Sequence, residues 1–394
     1  MTRTAQDRPE ERVSFWNDPR TRSIAAQIFL ALVLIAFYFA IFQNLVENLK
    51  LRNITSGWGF LNKNAGFDIN TSLTGYTSNS SYFDALFAGF LNTLLVAALG
   101  IIFATLLGFI IGIMRLSKNW VVARVATAYV EILRNIPLLL QIFVWYGAVL
   151  KPLPGPREAL SIFNVAYLSN RGFVFPHPTF GPGAWLALAG LALAIGLAIA
   201  IGRWARKRQE ETGIHFPARW VGLSLIIGLP LILFAVAGWP VTFDYPVLGG
   251  FNFSGGSTVV PEFIALLLAL SFYTATYIAE AVRAGIQAVS HGQTEAAGAL
   301  GLRQGLITRL VTIPQAMRVI IPPLASQYLN LTKNSSLAVA IGYPDLVYTG
   351  GTVLNQTGQA VEIVFIWMVV YLSLSLVTSA FMNWFNAKMR LVER

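Results

Sequence analysis

The sequence has no cysteine, and only 12% of its 394 residues are charged whereas 55% are hydrophobic. The absence of cysteine excludes disulfides, thiolate catalysis and zinc–thiolate sites. Soluble domains contain about 25% charged residues, and hydrocarbon tolerates few charges. The shortage of charge therefore predicts a polytopic membrane protein, and about eight spans of ~20 residues would fit in a chain of this length.

Two further absences limit the chemistry. No Gly-x-x-x-x-Gly-Lys-Ser/Thr motif occurs, so the chain has no loop of the kind that cradles nucleotide phosphates. The three histidines, His177, His215 and His291, are too scattered along the sequence to predict a metal site. We also find no catalytic constellation, which argues against a membrane enzyme. Energy for transport would have to come from another chain or from an ion gradient.

Eight apolar segments predict an all-α, polytopic fold. The third is interrupted by Glu131, Arg134 and Pro137, and the seventh contains Pro322-Pro323 and is followed by a second apolar stretch at 337–343. The first has no Ala-x-Ala-like exit, so it predicts an uncleaved span. The predicted spans are Ser23–Phe42, Ala85–Met114, about Trp120–Leu150, Ala184–Gly202, Val221–Trp239, about Val259–Val282, Met317–Thr332 and Ile363–Asn386.

The distribution of positive charge predicts the orientation. The net charge is +10, and with the N-terminus inside, 19 of the 28 Lys and Arg residues fall on that side and 7 on the other. Lys and Arg resist translocation, so both termini are expected in the cytosol and 43–84, 151–183 and 333–360 outside. Nucleic acid is a poor candidate partner because the charge lies beside apolar spans. The basic cluster at 203–208 is predicted to anchor the topology on anionic lipid.

The segment 290–315 is the most informative on the predicted cytosolic side. Its sequence, SHGQTEAAGALGLRQGLITRLVTIPQ, predicts a short helix with small residues on one side, a break at Gly301, and a second short helix ended by Pro314. Alanine and glycine would allow another protein to approach closely, and Glu295 offers a charge to a helix N-terminus or a basic partner. An ordinary loop between helices is the alternative interpretation.

The spacing within this segment resembles the coupling-loop signature of binding-protein-dependent ABC importer permeases. The signature residues here are Glu295-Ala296-Ala297, Gly301 and Val311-Thr312-Ile313-Pro314. Residues 89–150 and 261–346 resemble the two halves of the polar amino acid permease family. The flanking matches are Tyr277, Ala279, Glu280, Arg283 and Gly285 before the loop, and Pro314, Gln315, Ala316 and Arg318 after it.

The resemblance implies a five-helix core that is interrupted by an insertion. The core would be 85–150 and 259–388, with an extra first helix and outer loop at 23–84 and cytosolic tails at 1–22 and 389–394. An inserted outer loop and helical hairpin would occupy 151–258. Long chains of this kind resemble the larger permease subunits of general L-amino-acid importers.

The same resemblance implies a function and a set of partners. The chain would be a non-catalytic permease subunit in the bacterial inner membrane that translocates L-amino acids from periplasm to cytosol. It would hold no cofactor, with ATP and Mg bound by a separate cytosolic ABC ATPase dimer docked at Glu295, Ala296, Ala297, Gly301 and Pro314. Its other partners would be a second permease subunit, homologous or identical, a periplasmic amino-acid-binding protein, and the lipid bilayer. An ion-coupled secondary transporter is the alternative, although the two similar halves typical of that class are not evident.

Two interruptions of apolar segments are candidates for the substrate pathway. Arg134-Asn135-Ile136-Pro137 stands where the family commonly has Arg-Gly-Thr-Pro, and Lys333-Asn334-Ser335-Ser336 where it commonly has Lys-Asp-Thr-Ser. Broken helices within a membrane are tolerated where they line a cavity or are buried in protein. Asn92 and Thr93 are further candidates, but such residues also bridge packed helices.

Two i,i+3 pairs of opposite charge are expected on helices near the inner interface. They are Glu131 with Arg134 and Glu280 with Arg283, which could each bond across one helical turn. A structural ion pair is the favoured interpretation of both.

The charge bias gives a direct test of topology, because the native chain has no cysteine to interfere. A cysteine introduced at position 210 should resist an impermeant thiol reagent applied to intact cells and react after the membrane is opened. A cysteine in the 151–183 loop is the control and should react from outside. Labelling of position 210 in intact cells would contradict the predicted orientation.

Overall fold

The computed structural model describes residues 19–51 and 56–389 and is mostly helical. Residues 1–18 of the predicted N-terminal tail and 390–394 of the C-terminal tail lie outside the described residues. The α-helices are α1 Pro19–Leu51, α2 Tyr82–Arg115, α3 Trp120–Asn135, α4 Leu138–Phe143, α5 Trp185–Thr212, α6 Ala218–Val236, α7 Pro261–Gln287, α8 His291–Ala299, α9 Gln304–Ile307, α10 Ile313–Asn334, α11 Leu346–Thr357 and α12 Ala360–Met389.

Shorter helical segments extend or join these elements. Val144–Leu150 continues α4 as a π-helix, Thr308–Thr312 joins α9 to α10 in the same form, and Ser335–Ile341 continues α10 as a 3-10 helix. Two further 3-10 turns lie at Trp58–Asn62 and Pro156–Glu158. Pro322 and Pro323, which predicted a short seventh span, lie inside α10 without ending it.

The helices account for the predicted number of spans. In the described residues six helices are long and apolar enough to cross a membrane, and two bent pairs raise the number to as many as eight. One pair is 120–135 with 138–150, bent by 105°, and the other is 304–341 with 346–357, bent by 51°. The first bend lies at the predicted interruption at Pro137, whereas the second lies at 342–345, beyond the predicted interruption at 333–336. The prediction of an all-α, multi-pass membrane protein is confirmed.

Eight short strands add a feature that the sequence analysis described only as an outer loop. They form a four-stranded sheet in the order β1-β2-β3-β8 and two two-stranded sheets, β4-β5 and β6-β7. All pairings are antiparallel. The strands are β1 Leu160–Ile162, β2 Ala166–Ser169, β3 Gly172–Phe175, β4 His177–Phe180, β5 Val241–Asp244, β6 Val247–Gly249, β7 Asn252–Ser254 and β8 Ser257–Val259.

The strand pairing fixes the hairpin of α5 and α6 at one end. Strand β4 precedes α5 and β5 follows α6, so their pairing holds the start of α5 beside the end of α6. Strand β8 pairs with β3 and leads directly into α7. The loops 160–180 and 241–259 therefore lie on one side of the hairpin, as the alternation of spans predicts.

The centre of the protein is the contact between α2 and α7. Small residues recur at every fourth position of α2, namely Gly100, Ala104, Gly108 and Gly112. A methyl group added at Gly108 would lie 2.5 Å from Ile278, and one at Gly112 would lie 2.8 Å from the backbone oxygen of Ala279. Such small residues allow helices to approach closely in lipid. The two helices could not approach so closely with larger residues at Gly108 and Gly112, whereas Gly100 lies against Leu331 of α10.

The same contact shows that α2 and α7 run parallel. Gly108 lies against Ile278 and Gly112 against Val282, so the residue numbers increase together along both helices. Parallel helices must cross the membrane in the same direction, which requires an even number of crossings from one to the next. The bent pair 120–150 must therefore cross the membrane once, so that the crossings after α2 are this pair, α5, α6 and α7.

The buried fraction of each helix distinguishes a group of central helices from a group of peripheral ones. In the most apolar window of each helix, 61% of α7 is buried and 33% of α2, against 11% or less of α5, α6 and α12, and none of α1. Helices α5 and α6 pack mainly against each other. The predicted insertion is thus a lateral hairpin on a compact helical core.

The α2–α7 contact predicts a sharp difference between two glycine substitutions. Gly112→Leu should lower the midpoint of thermal unfolding, because overpacking a tight contact costs about 1–3 kcal/mol. Gly196→Leu in α5 is the matched control, since no atom lies within 4 Å of a methyl group added there. The measurement is a melting curve of the purified protein in detergent. Equal midpoints for the two variants would contradict the proposed role of this contact.

Candidate functional site

The segment 290–315 folds as two short helices with a defined turn between them. Helix α8 ends at Ala299, and Gly301 takes the left-handed conformation with φ of 78°. The Gly301 N–H donates to the Gly298 carbonyl at 2.9 Å and the Leu302 N–H to the Ala297 carbonyl at 3.3 Å. This pair of bonds is a Schellman motif, in which glycine is favoured because it has no Cβ to oppose the left-handed backbone. The predicted break at Gly301 is therefore a structured turn.

The faces of this helix pair differ in exposure. Ala297 and Ile307 are buried, at 5% and 3% exposure, where α8 lies against α9. Leu300 is 82% exposed and Leu310 is 60% exposed. Glu295 and Ala296 are also exposed. The pair therefore presents apolar side chains and one carboxylate outward, whereas Ala297 serves its internal packing. We call this helix pair, residues 290–312, the coupling knob, after the coupling-loop signature that its sequence resembles.

Pro314 does not end a second short helix, contrary to the sequence analysis. The chain is helical from Gln304 through the π-turn at Thr308–Thr312 into α10, and Pro314 lies in the first turn of α10. Because proline has no N–H, the helical bond to the preceding turn is missing there, and the chain changes from π-helix to α-helix next to it. The coupling knob is thereby continuous with α10 on one side.

On its other side the coupling knob follows α7, and the two helices that flank it are locked together. A methyl group added at Gly285 of α7 would lie 2.3 Å from the Ile320 side chain of α10. Ala316 and Ile320 are buried at this crossing. A displacement of the knob would therefore move α7 and α10 as one unit.

An ion-pair network connects the end of α2 to the same unit. Glu280 of α7 accepts hydrogen bonds from Arg283 on its own helix and from Arg115, the last residue of α2. Arg283 also donates to Gln287 at 2.6 Å. The predicted Glu280–Arg283 pair is thus confirmed, with Arg115 as a third member that the i,i+3 pattern could not reveal. The network ties α2 to α7 near the knob.

The break between α3 and α4 is stabilised from within. Pro137 has no N–H and interrupts the helical hydrogen bonds. The buried side chain of Gln141 donates from Nε2 to the Leu133 carbonyl at 2.7 Å and to the Ile136 carbonyl at 2.9 Å. These bonds satisfy carbonyls that the break leaves free, which is a strong requirement within a membrane.

Arg134 and Asn135 lie at this break with exposed side chains. The predicted Glu131–Arg134 ion pair is wrong, since the described residues contain no bond between them. The Arg134 guanidinium instead lies 5.0 Å from the ring centre of Tyr277 on α7. Cation–π attraction explains the alternative partner. The Tyr277 hydroxyl is 2.9 Å from that of Tyr273, so the break faces a small aromatic and polar surface on α7.

The second candidate break, 333–336, is a change from α-helix to 3-10 helix. Lys333 is exposed, Asn334 and Ser336 are half-buried, and Ser335 is buried with its hydroxyl donating to the Thr332 carbonyl at 2.7 Å. The two breaks adjoin through their flanking helices. Leu138 and Ile142 of α4 belong to the same core cluster as Ala338 and Ile341 of the 3-10 helix.

Asn92 and Thr93 make contacts that bridge elements. Both are fully buried. Asn92 Nδ2 donates to the Thr71 and Pro344 carbonyls at 2.7 and 2.9 Å, and Thr93 Oγ1 accepts from the Leu346 N–H at 3.1 Å. These bonds fix α11 against α2. The structure thus assigns both residues the helix-bridging contacts that the sequence analysis gave as their second interpretation.

Sequence reasoning missed two buried polar residues that organise these elements. Gln141 was not singled out, although an amide four residues after a proline break is a usable signal. Asp345 is fully buried and caps α11 by accepting from the Tyr348 N–H at 2.8 Å. A Pro-Asp pair before an apolar run is a recognisable helix start. Within 19–51 and 56–389, no group of three or more His, Asp or Glu side chains is close enough to hold a metal ion.

Comparison of the sequence with those of known proteins finds similarity to transport proteins. Residues 216–391 match the family described as binding-protein-dependent transport system inner membrane component. The chain is 58% identical to the general L-amino acid transport system permease protein AapQ of Rhizobium johnstonii, over 96% of this chain and 94% of that protein. It is 43% identical to the glutamate/glutamine/aspartate/asparagine transport system permease protein BztB of Rhodobacter capsulatus, over 96% of each.

A solved structure is also similar. A crystal structure of an amino acid ABC transporter with histidines is 21% identical and covers 78% of this chain and 95% of that one, with a TM-score of 0.47.

Proposed function

The chain belongs to the binding-protein-dependent transport system inner membrane components, and we propose that it is the permease subunit of an ATP-driven importer of L-amino acids. Its relatives are named as permeases of amino acid transport systems. The proposal includes a cytosolic coupling knob, cytosolic termini, and strands β1–β8 on the outer side. The relatives' names supply the substrate class, and the positive charge bias supports the orientation.

The observation that carries the proposal is the coupling knob. An exposed Leu300 beside Glu295 and Ala296, held on a structured turn and outside the apolar spans, is suited to burial against another protein. The chain has no nucleotide-binding loop of its own. We therefore assign ATP and Mg to a separate ATPase dimer that docks on the knob of this chain and on that of a second permease subunit.

The contacts of the knob suggest how docking would act on the pathway. The knob continues directly into α10 and follows α7, and Gly285 against Ile320 locks those two helices together. Glu280 and the Gly112 contact then join α7 to α2. Closure of the ATPase dimer would move these three helices as one body against the bent α3–α4 pair. This relative motion would open the pathway alternately to the two sides.

The proposed substrate site lies at the α3–α4 break and the adjoining 333–336 segment. A dipolar amino acid in a membrane needs its carboxylate and its ammonium matched by polar groups or helix ends. Arg134 and Lys333 supply exposed positive charge, and Asn135 and Asn334 supply amides. The site would only bind and release the amino acid, so no residue of this chain has a catalytic role. Delivery would come from a periplasmic binding protein on the side of the strands.

An ion-coupled secondary transporter fits the observations less well. It would have no use for a protein-docking knob at the ends of two central helices. The relatives matched over nearly the full chain are named as permeases of transport systems, consistent with a multi-subunit importer.

The knob predicts that Gly301→Trp reduces both amino acid uptake and co-purification of the ATPase. Any side chain here is strained by about 1–2 kcal/mol in the left-handed backbone, and a large one would also obstruct docking. Gly213→Trp is the matched control, because Gly213 is likewise a left-handed glycine after a helix, at φ of 72°, and has open space around it. Full uptake and full ATPase association by Gly301→Trp would contradict the role of the knob.

The pathway predicts a change in substrate handling for Arg134→Ala and for Asn334→Ala. Loss of the Arg134 charge should raise the KM for uptake by up to about tenfold, in line with one cation–π or charged contact. Arg124→Ala is the control, since Arg124 lies on the same helix and is 5.8 Å from the ring centre of Trp120. Radiolabelled uptake with competing amino acids measures KM and selectivity. Unchanged KM and selectivity in both variants would contradict this pathway and leave the permease assignment intact.

A further inference from the structure

The lateral hairpin of α5 and α6 has tryptophan at both of its ends. Trp185 and Trp204 lie 19 residues apart on one helix, which is about 29 Å at 1.5 Å per residue. That distance matches the ~30 Å hydrocarbon core, and tryptophan is enriched at both membrane–water interfaces. Trp220 lies in the first turn of α6, and Trp239 lies just beyond the end of that helix. The residues around Trp204 and Trp220 are therefore at the level of the lipid headgroups.

A cavity of about 840 Å³ opens at this level, between the last turns of α5, the connection 213–217 and the first turn of α6. Its lining includes Arg203, Arg206, Arg219, His215 and Trp220. The three arginines make no ion pair with any residue in 19–51 or 56–389. No side chain caps the N-terminus of α6, which begins at this cavity. The dipole at the start of this helix adds positive potential to that of the arginines.

The charged side chains of the basic cluster divide into two kinds. Arg203 and Arg206 line the cavity, whereas Lys207 is 3.8 Å from Glu211 and Arg208 lies over Trp204 at 5.2 Å. A general electrostatic anchor would not require this distinction. The cavity combines three unpaired guanidinium groups, each with a planar set of donors suited to phosphate.

An apolar groove continues from the cavity along α6. It has a volume of about 370 Å³ and shares Trp220 with the cavity. Its other walls include Val221, Leu225, Gly228 and Ile232, so it runs along α6 towards the middle of the membrane. An anion site at headgroup level that opens into an apolar groove has the shape and the chemistry of a single phospholipid.

We propose that this hairpin binds one anionic phospholipid, with its phosphate among Arg203, Arg206 and Arg219 and an acyl chain in the groove along α6. The charge of the cavity selects an anionic headgroup over a zwitterionic one. The groove distinguishes a lipid from a free phosphate ion, which shares the headgroup chemistry but would gain nothing from the apolar walls. The proposal does not depend on the transport function.

The headgroup contact is tested with purified protein in detergent, titrated with phosphatidylglycerol and observed by native mass spectrometry. Arg206→Gln/Arg219→Gln should weaken retention of one phosphatidylglycerol per chain by about tenfold or more, because charged hydrogen bonds to phosphate are lost. Lys207→Gln/Arg208→Gln removes the same charge from the same region and should bind as the parent does. Equal weakening by both double variants, or equal binding of phosphatidylcholine by the parent, would overturn the proposal.

The groove contact is tested with a separate pair of variants and two probes. Gly228→Leu should fill the groove without a clash, since no atom lies within 4 Å of a methyl group added there. It should weaken phosphatidylglycerol retention and leave binding of inorganic phosphate unchanged, whereas Gly196→Leu in α5 should affect neither. Displacement of the lipid by millimolar inorganic phosphate, or unweakened lipid retention by Gly228→Leu, would identify a simple anion site and overturn the lipid assignment.

Discussion

The close approach of α2 and α7 is the constraint on which the rest of this structure depends. Lipid tails are as apolar as the helices, so burial of apolar surface gives little drive to pack helices in a membrane. Shape must supply the contact, and the glycines of α2 allow the side chains of Ile278 and Val282 to reach its backbone. The parallel direction of the two helices then requires an odd number of crossings between them and places Arg115 within reach of Glu280. Topology, the ion-pair network and the link to the coupling knob all follow from that contact.

Around this rigid pair, the chain must satisfy its backbone wherever a helix is broken. An unsatisfied carbonyl in hydrocarbon costs several kcal/mol, so the 105° bend at Pro137 needs a specific partner. Gln141 supplies it with two bonds from a single amide. At the start of α11, the Asp345 carboxylate accepts a hydrogen bond from the Tyr348 N–H, which would otherwise lack a partner in the helix. The broken segments are thereby fixed in place, which leaves the exposed groups of Arg134 and Asn135 at a defined position.

The sequence predicted those features of the structure that a short stretch of residues determines by itself. The spans follow from hydropathy, and the turn at Gly301 follows from a backbone conformation that favours glycine. The strands could not be predicted, because β4 and β5 are only four residues long and are separated in sequence by the whole α5–α6 hairpin. The prediction of a Glu131–Arg134 ion pair was wrong for a similar reason, since the ring of Tyr277, which Arg134 contacts instead, is far away in sequence. For the candidate site, the positions of the breaks and of the knob could be predicted from the sequence, whereas the partners of their side chains could not.

The periphery of the protein obeys a different physical rule from its core. Helices α5 and α6 bury little surface against other helices, so protein packing alone does not set their depth or tilt. On the strand side, β4 with β5 and β3 with β8 connect the hairpin to the start of α7 through backbone hydrogen bonds. At the opposite end, the described residues offer charge and tryptophan instead of a protein partner. A hairpin held by protein at one end and by interfacial groups at the other can keep its depth while the central helices move.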